Sequence, residues 1–354
     1  MTVTLGQPLP PDRAVLTALV DEIIASGRWS NDGPIVQRFE QRLAADLGWA
    51  DVAATSSGTS ALTVALLALD LPRGGEVITS ALTFAATVQA IELAGLVPRF
   101  AAVDPETLCL DPDAVRKAIT AHTVAILPVH LFGLAADVQL DDIGEDAGLP
   151  VVYDAAHAYG FAPVVGRGTA SAYSLHATKL LHTAEGGCVG TDDPVVAARL
   201  RRARAFGLDA DRVREQGTNA KMSEHAAALG LAVLTGIPDE IRARQRVRDA
   251  YASALAVSTR YRPHAPGRSR ALVMEVVRCA PADQQDLLDD LAAAQVVGRL
   301  FPALCAPGQR YADVPLVGAE AGALVALAGS AVALPLHGRV PDAALDAISA
   351  VLRG

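Results

Sequence analysis

The chain is poor in aromatic residues. Phe, Trp and Tyr make up 4% of its 354 residues, so an aromatic at a strand–helix junction is more informative here than usual. It also lacks an apolar run of membrane-spanning length. The most apolar stretch, 322–336, is too short and contains Pro335. Cysteine is scarce: Cys109, Cys188, Cys279 and Cys305 lie far apart with no Cys-x-x-Cys spacing. They read as reduced thiols of a cytoplasmic protein, and no metal-ligand pattern accompanies them. There is no surplus of positive charge. Thirty Lys and Arg face 39 Asp and Glu, a net charge of −9, which argues against a nucleic-acid surface. A local pocket can still attract an anionic small molecule against that global field. The first residues, Met-Thr-Val-Thr-Leu-Gly-Gln-Pro, lack a basic stretch followed by an apolar one, so no signal peptide is expected. No internal repeat or low-complexity tract is visible.

What is present suits a folded enzyme-sized chain. Hydrophobic residues reach 51% and charged residues 19%, ample for a core and contrary to disorder. The length exceeds one usual core and predicts one large and one smaller domain. From about 50 to 200, short apolar runs at 51–54, 76–79, 97–102, 124–128 and 151–153 alternate with helical periods at 60–69, 85–94, 113–119 and 138–147. This alternation predicts βαβ units, a mostly parallel sheet and helices on both faces. Segments 172–175 and 187–191 read as a hairpin turned by Glu185-Gly-Gly187. Beyond 190 the pattern turns helical at 194–206, 223–234 and 238–255, with Pro238 after Gly236 a candidate hinge. The remainder predicts a strand at 270–278, a helix at 281–295, a strand at 332–336 and a helix at 341–352, together a small α+β domain.

Four pieces of chemistry come in a fixed order. Ser57-Gly58-Thr59 follows a strand and opens a helix; free amides and the dipole there make an anion site. Gly58 permits close backbone approach to a phosphate, although a serine at that place is by itself an ordinary cap. Phe84 opens the next helix and could stack on a flat ring. Asp154 ends an apolar strand, where ligands of parallel sheets gather, and His157 follows it by three. Ser174 precedes Lys179 by five, so a hydroxyl could reach a phosphate while the amine reaches an aldehyde. This order suits pyridoxal 5'-phosphate (PLP), which needs a lysine for an imine and an acid against its ring nitrogen. A desolvated lysine has a lowered pKa and is the better nucleophile.

With these residues in place the chain resembles the DegT/DnrJ/StrS family of PLP-dependent sugar aminotransferases, of aminotransferase fold type I. The resemblance runs from about Gly27 to Leu234 and returns weakly at 332–352. It rests on Ser57-Gly-Thr-Ser-Ala-Leu62, Ala81-Leu-Thr-Phe84-Ala-Ala-Thr87, Val129-His-Leu-Phe-Gly133, Asp154-Ala-Ala-His157, Ser174…Lys179…Glu185-Gly-Gly187 and Gly217-Thr-Asn219-Ala-Lys-Met-Ser-Glu224. It implies a large PLP domain over 1–235, with N-terminal residues able to pack on the small domain, and a small domain over 236–354. Lys179 is then the imine-forming and proton-shuttling residue, Asp154 the partner of the ring nitrogen and His157 the neighbour of the ring hydroxyl. Ser57, Gly58, Thr59 and Ser174 seat the phosphate and Phe84 covers the ring. Asn219 reaches the neighbouring subunit's cofactor, which implies a homodimer with shared sites.

Departures from the family pattern are Lys221 where an Arg is usual, Ala184 where a Gly is common, and a shortened small domain. The implied reaction moves an amino group from glutamate or glutamine to a keto-sugar, nucleotide-linked in the leading reading, within amino-sugar or secondary-metabolite biosynthesis. A keto-cyclitol or other small carbonyl acceptor, a sugar dehydratase and a non-catalytic regulator stand as alternatives. Lys179 argues against the dehydratase, whose lysine is typically replaced by His.

Overall fold

The computed structural model describes residues 2–164 and 166–354. Strands Asp51–Thr55, Gly187–Thr191, Ala170–Ser174 and Val152–Asp154 lie side by side in that order. Strands Thr123–Ile126, Glu76–Ser80, Val97–Ala101 and Leu316–Val317 continue the sheet. Parallel bridges from Ile126 to Val151 and from Val129 to Asp154 join the two halves. Asp154 N donates to Pro128 O (2.8 Å) and His130 N to Asp154 O (3.0 Å) across that seam. All pairings are parallel except those of Gly187–Thr191, which runs antiparallel to both neighbours.

Parallel strands buried on both faces read as apolar runs and require helices on both sides. Successive residues divide between two cores. Val77, Ala125 and Val152 pack with Leu66, Ile91 and Leu200 of helices Gly58–Ala68, Ala85–Leu93 and Pro194–Ala203. Their neighbours Ile78, Ile126 and Tyr153 pack on the opposite face with Val115 and Leu140 of helices Pro112–Ala118 and Gln139–Ala147. Each fully buried Leu, Val or Ile in these layers contributes about 1.5–3 kcal/mol. Helices Arg13–Ser26, Pro34–Leu47 and Glu224–Leu234 form a third cluster, in which Ile23, Phe39 and Ala228 meet Tyr173 and Leu181. The expected caps are there: Ser57 Oγ accepts from Ser60 N (3.0 Å) and Asp111 Oδ1 from Asp113 N (2.9 Å), each worth about 1 kcal/mol.

The edge strand Asp51–Thr55 is held by charge. Buried Arg204 donates to Glu40 and to Ala54 O (2.7 Å), while Glu40 accepts from Ala54 N (2.7 Å) and from Arg201 (2.8 Å). Removing one member would leave a buried charge uncompensated, the costly case for such pairs.

The C-terminal α+β part centres on an antiparallel sheet of Tyr261–Pro263, Glu275–Cys279 and Ala331–Leu334. Helices Ile237–Leu255, Gln284–Ala293 and Asp342–Arg353 close it through Tyr251, Leu291, Ile348 and Val332. Among the described residues no helix is long and apolar enough to cross a membrane, and no cluster of His, Cys, Asp and Glu could hold a metal ion.

Several boundaries differ from expectation. The strand predicted at 270–278 begins only at Glu275. Ala271 N instead donates to Gly133 O (2.9 Å), and Arg248 takes the carbonyls of Arg270 and Ala271, which draws 270–271 toward the large sheet. The strand predicted to reach Leu336 stops at Leu334, before Pro335, because proline cannot donate to a ladder. Helix 194–206 ends at Ala203, and Phe206 takes a left-handed φ of 66°. The helix expected from Pro238 opens one residue earlier, as Ile237–Leu255, with Gly236 at its N-cap. The segment between Arg299 and Val317 was not anticipated. It returns to the large sheet, where Leu304 N donates to Ala81 O (2.7 Å), Tyr311 OH to Glu92 (2.8 Å), and Leu316–Val317 add the last strand.

Ala184 lies in the hairpin loop with φ +62°, a conformation that costs an L-residue about 1–2 kcal/mol. Glycine relieves that strain but adds about 0.4–1 kcal/mol of unfolded-chain entropy. Ala184→Gly is therefore expected to raise stability by about 0.5 kcal/mol, read as a higher urea midpoint at unchanged slope. A lower midpoint contradicts the strain assigned to this turn.

Candidate active site

Lys179 lies in the turn after strand Ala170–Ser174. The hairpin ladder continues past the strand ends, where Leu175 N donates to Gly186 O (2.9 Å) and Ala177 N to Ala184 O (2.7 Å), and a turn within it closes as Lys179 N donates to His176 O (2.9 Å). The backbone that carries the amine is thus fixed. Gly187 lets this hairpin pass the helix opened by Ser57. A Cβ there would stand 2.4 Å from Ser57 O and 2.8 Å from Gly58 N. A Cβ on Gly58 would stand 2.9 Å from Ser174 Cβ and 3.1 Å from Ser174 Oγ. The turn and the serine are pressed together because both glycines are bare. Ser60 N is taken by Ser57 Oγ, whereas the amides of Gly58 and Thr59 have no acceptor among the described residues.

A cavity of about 380 Å³ brings together Ser57, Gly58, Thr59, Phe84, Asp154, His157, Ser174 and Lys179. Of the residues singled out in the sequence, only Asn219 is outside it. Asn219 is exposed, and its Oδ1 accepts from Lys221 Nζ (2.6 Å), itself 4.5 Å above the Phe206 ring. Phe84 is 58% exposed at the rim. A second cavity, about 260 Å³, lies among Asp104, Asp111, Asp137 and Arg268 and holds no amine or imidazole.

Asp154 is buried. Its Oδ2 accepts from Thr87 Oγ1 (2.7 Å) and its Oδ1 from Ala156 N (3.0 Å). Burial raises its pKa, opposed by these two hydrogen bonds and by the Lys179 charge. Burial also brings Lys179 down to about 8; Asp154 pulls it up and Arg299 pushes it down. His157 is held neutral, well below its ordinary pKa, by burial and then by Lys179, and its Nδ1 is buried without a partner.

Thr87, Arg299 and the N-terminal Leu5 and Gly6, which also line or support this cavity, went unnoticed in the sequence. Thr87 stands one turn beyond Phe84 on the same helix, and that spacing was a usable signal. Arg299 and Leu5 lie far along the chain from every motif and gave none.

These residues fit a phosphorylated pyridine aldehyde. Two open amides and Ser174 face one end, a buried carboxylate lacks a cationic hydrogen-bond partner, an imidazole nitrogen lacks any partner, and a part-neutral amine stands nearby. Such a set on this sheet defines an aminotransferase of fold type I. The solved structure of DesI in the presence of its TDP-sugar product is 34% identical, covers 99% of this chain and 92% of that chain, and superposes with a TM-score of 0.91. An aminotransferase of the family from Brucella abortus is 28% identical over 96% of this chain and 95% of its own, TM-score 0.85. DesV of S. venezuelae, in complex with a ketimine intermediate, is 27% identical over 96% and 94%, TM-score 0.87. The family model of the DegT/DnrJ/EryC1/StrS aminotransferases matches residues 12–353, and the chain belongs to that family. It is an enzyme, and its cofactor is pyridoxal 5'-phosphate.

The lowered pKa of Lys179 has a measurable consequence. The amine loses its proton as pH rises through about 8, so aldehyde labelling trapped with borohydride should have its midpoint there rather than near 10.5, the ordinary lysine value. Asp154 stabilises the charged amine, so Asp154→Asn should move the midpoint lower still. A midpoint near 10 in the intact protein contradicts the dry site.

Proposed function

We propose that the enzyme transfers an amino group from glutamate or glutamine to a keto-sugar carried on a nucleotide, in amino-sugar formation for secondary metabolism. The observation that carries this reading is the meeting of Lys179 and Asp154 in one cavity with the Gly58–Ser174 seat. The likeness to DesI, solved with a TDP-sugar product, supports a nucleotide-linked acceptor.

The bound cofactor supplies an aldehyde for imine exchange and a ring that takes up negative charge from the adjacent carbon. The chain's residues do the rest. Gly58 N, Thr59 N and Ser174 Oγ bind the phosphate, and Ser57 shapes the turn that presents those amides. Asp154, oriented by Thr87 and Ala156, holds a proton on the ring nitrogen. His157, neutral, donates or accepts one hydrogen bond at the ring hydroxyl through Nδ1. Lys179, near half-protonated at pH 8, would take a proton from the donor's α-carbon and return it to the carbon on the other side of the shared nitrogen, two bonds away, a role suited to a base poised near working pH. Phe84 covers the ring and keeps water from it.

The dimer is part of this reading. Asn219 is exposed and its Oδ1 accepts from the Lys221 ammonium, which leaves its amide NH₂ as the group that would donate to a phosphate across a twofold axis. The four cysteines are all free, which supports a cytoplasmic setting.

Glutamate or glutamine alone should convert the cofactor to its amine form, and the right keto-sugar should return it, with the absorbance followed in both directions. Lys179→Ala should abolish both halves, and Asp154→Ala should slow them at least 100-fold. Mixing Lys179→Ala chains with Asn219→Ala chains should restore about a quarter of the activity, the share of intact mixed sites. A sugar that loses water while the cofactor stays unchanged would instead establish dehydration.

A further inference from the structure

Thr83 precedes and Thr87 follows Phe84, the N-cap of helix Ala85–Leu93. Both threonines are buried, at 4% and 0% exposure. A threonine in a helix often turns its hydroxyl back to the carbonyl one turn earlier. Thr87 Oγ1 instead donates to Asp154 Oδ2 (2.7 Å), and Thr83 Oγ1 lies 2.7 Å from Thr87 Oγ1. The direction of this second bond follows from counting protons. A hydroxyl has one proton to give and accepts at its oxygen. A charged carboxylate has none, so the Thr87 proton goes to Asp154. The proton between the two hydroxyls is then that of Thr83. The chain runs from Thr83 to Thr87 to Asp154, and the Thr83 oxygen meets the cavity that it lines as an acceptor only.

We infer that Thr83 is a positioning residue which, acting through Thr87, holds the negative charge on Asp154. Its bearing on the reaction rests on the aminotransferase reading of the site; the charge itself does not. Hydrogen bonds in line polarise one another in a dry interior, so a hydroxyl that receives a bond donates a stronger one. Thr83 also fixes the Thr87 rotor, because a bond accepted from one side leaves the Thr87 proton aimed at the carboxylate. The other influences on Asp154 are the Ala156 amide (3.0 Å) and the charge of Lys179, while His157 in the same cavity is neutral. None of these lies on the helix of Thr87, so a change at Thr83 leaves them in place. With Asp154 charged, the ring nitrogen against it keeps its proton. Thr83 would thus act on the cofactor ring from two hydrogen bonds away.

The test reads Asp154 directly. In cofactor-free protein carrying carbon-13 in its aspartate carboxyls, the Asp154 signal is the one lost in Asp154→Asn, and its titration is followed by NMR. Thr87→Val removes a donor to the charged form, so it should raise the proton affinity of Asp154 at least about tenfold, a shift of about one pH unit upward. Thr83→Val should raise it about threefold. In the Thr87→Val background Thr83→Val should add nothing, as expected of a group that acts only through another. Thr83→Ser should titrate like the intact protein. Thr83→Ala, which only opens space, should match Thr83→Val and serves in its place if the valine does not fit. An unshifted Asp154 in these two variants overturns the inference, and so does a full threefold effect of Thr83→Val once Thr87 is already valine. The same proteins are then loaded with PLP labelled with nitrogen-15 in the ring, whose nitrogen should lose its proton at lower pH in the same order of variants. If Asp154 titrates as expected and the ring nitrogen does not follow, the inference stands and the pairing of Asp154 with that nitrogen falls.

Discussion

Everything at this site depends on keeping a carboxylate dry. Asp154 is 4% exposed at the end of a central parallel strand, and water alone would hold its charge more cheaply than the protein interior does. The fold offsets that cost with a hydroxyl from Thr87, an amide from Ala156 and the field of Lys179. What is left over is a demand for a positive group against the carboxylate, which in the function proposed above a protonated pyridine nitrogen would meet. The same dryness lowers Lys179 and keeps His157 neutral. One burial thus sets the protonation states of all three groups.

The strands that build this floor were legible because burial on both faces makes them continuous apolar runs. Their helices were legible from the caps at Ser57 and Asp111. Asp154, Ser174 and Gly58 could be found because each sits at an element boundary with an unusual side chain or none, and Lys179 because it stands between Ser174 and the Glu185-Gly-Gly187 turn. The ladder from Leu175 to Gly186 that aims Lys179 left its mark in the Glu185-Gly-Gly187 turn. Short-range pattern and local chemistry coincide at these positions, as consistent sequences require.

What stayed hidden depends on contacts distant in sequence. Residues 270–271 read as strand, but they answer to Gly133 and Arg248. Arg299 looks like any surface arginine until the chain after it folds back over the cavity. Leu316–Val317 is two residues of strand, too short for periodicity to register, and it is paired only because Phe100 and Ala101 expose an edge. Such edges are usually covered or blunted, and here the covering piece comes from the far end of the molecule.

That returning segment ties the C-terminal part into the sheet of the large one. Bonds from Leu304 to Ala81, from Tyr311 to Glu92 and along Leu316–Val317 stitch the two together at three places. A free hinge between them would have to tear a β-ladder at every catalytic cycle. Opening and closing must therefore be the work of side chains and loops around a stiff frame, and the cleft's width becomes a fixed dimension. In such a cleft, acceptor preference is set by the shape of the walls rather than by how far they travel, so natural variation in what the enzyme accepts should concentrate in the rim near Phe84 and in the stretch 299–301.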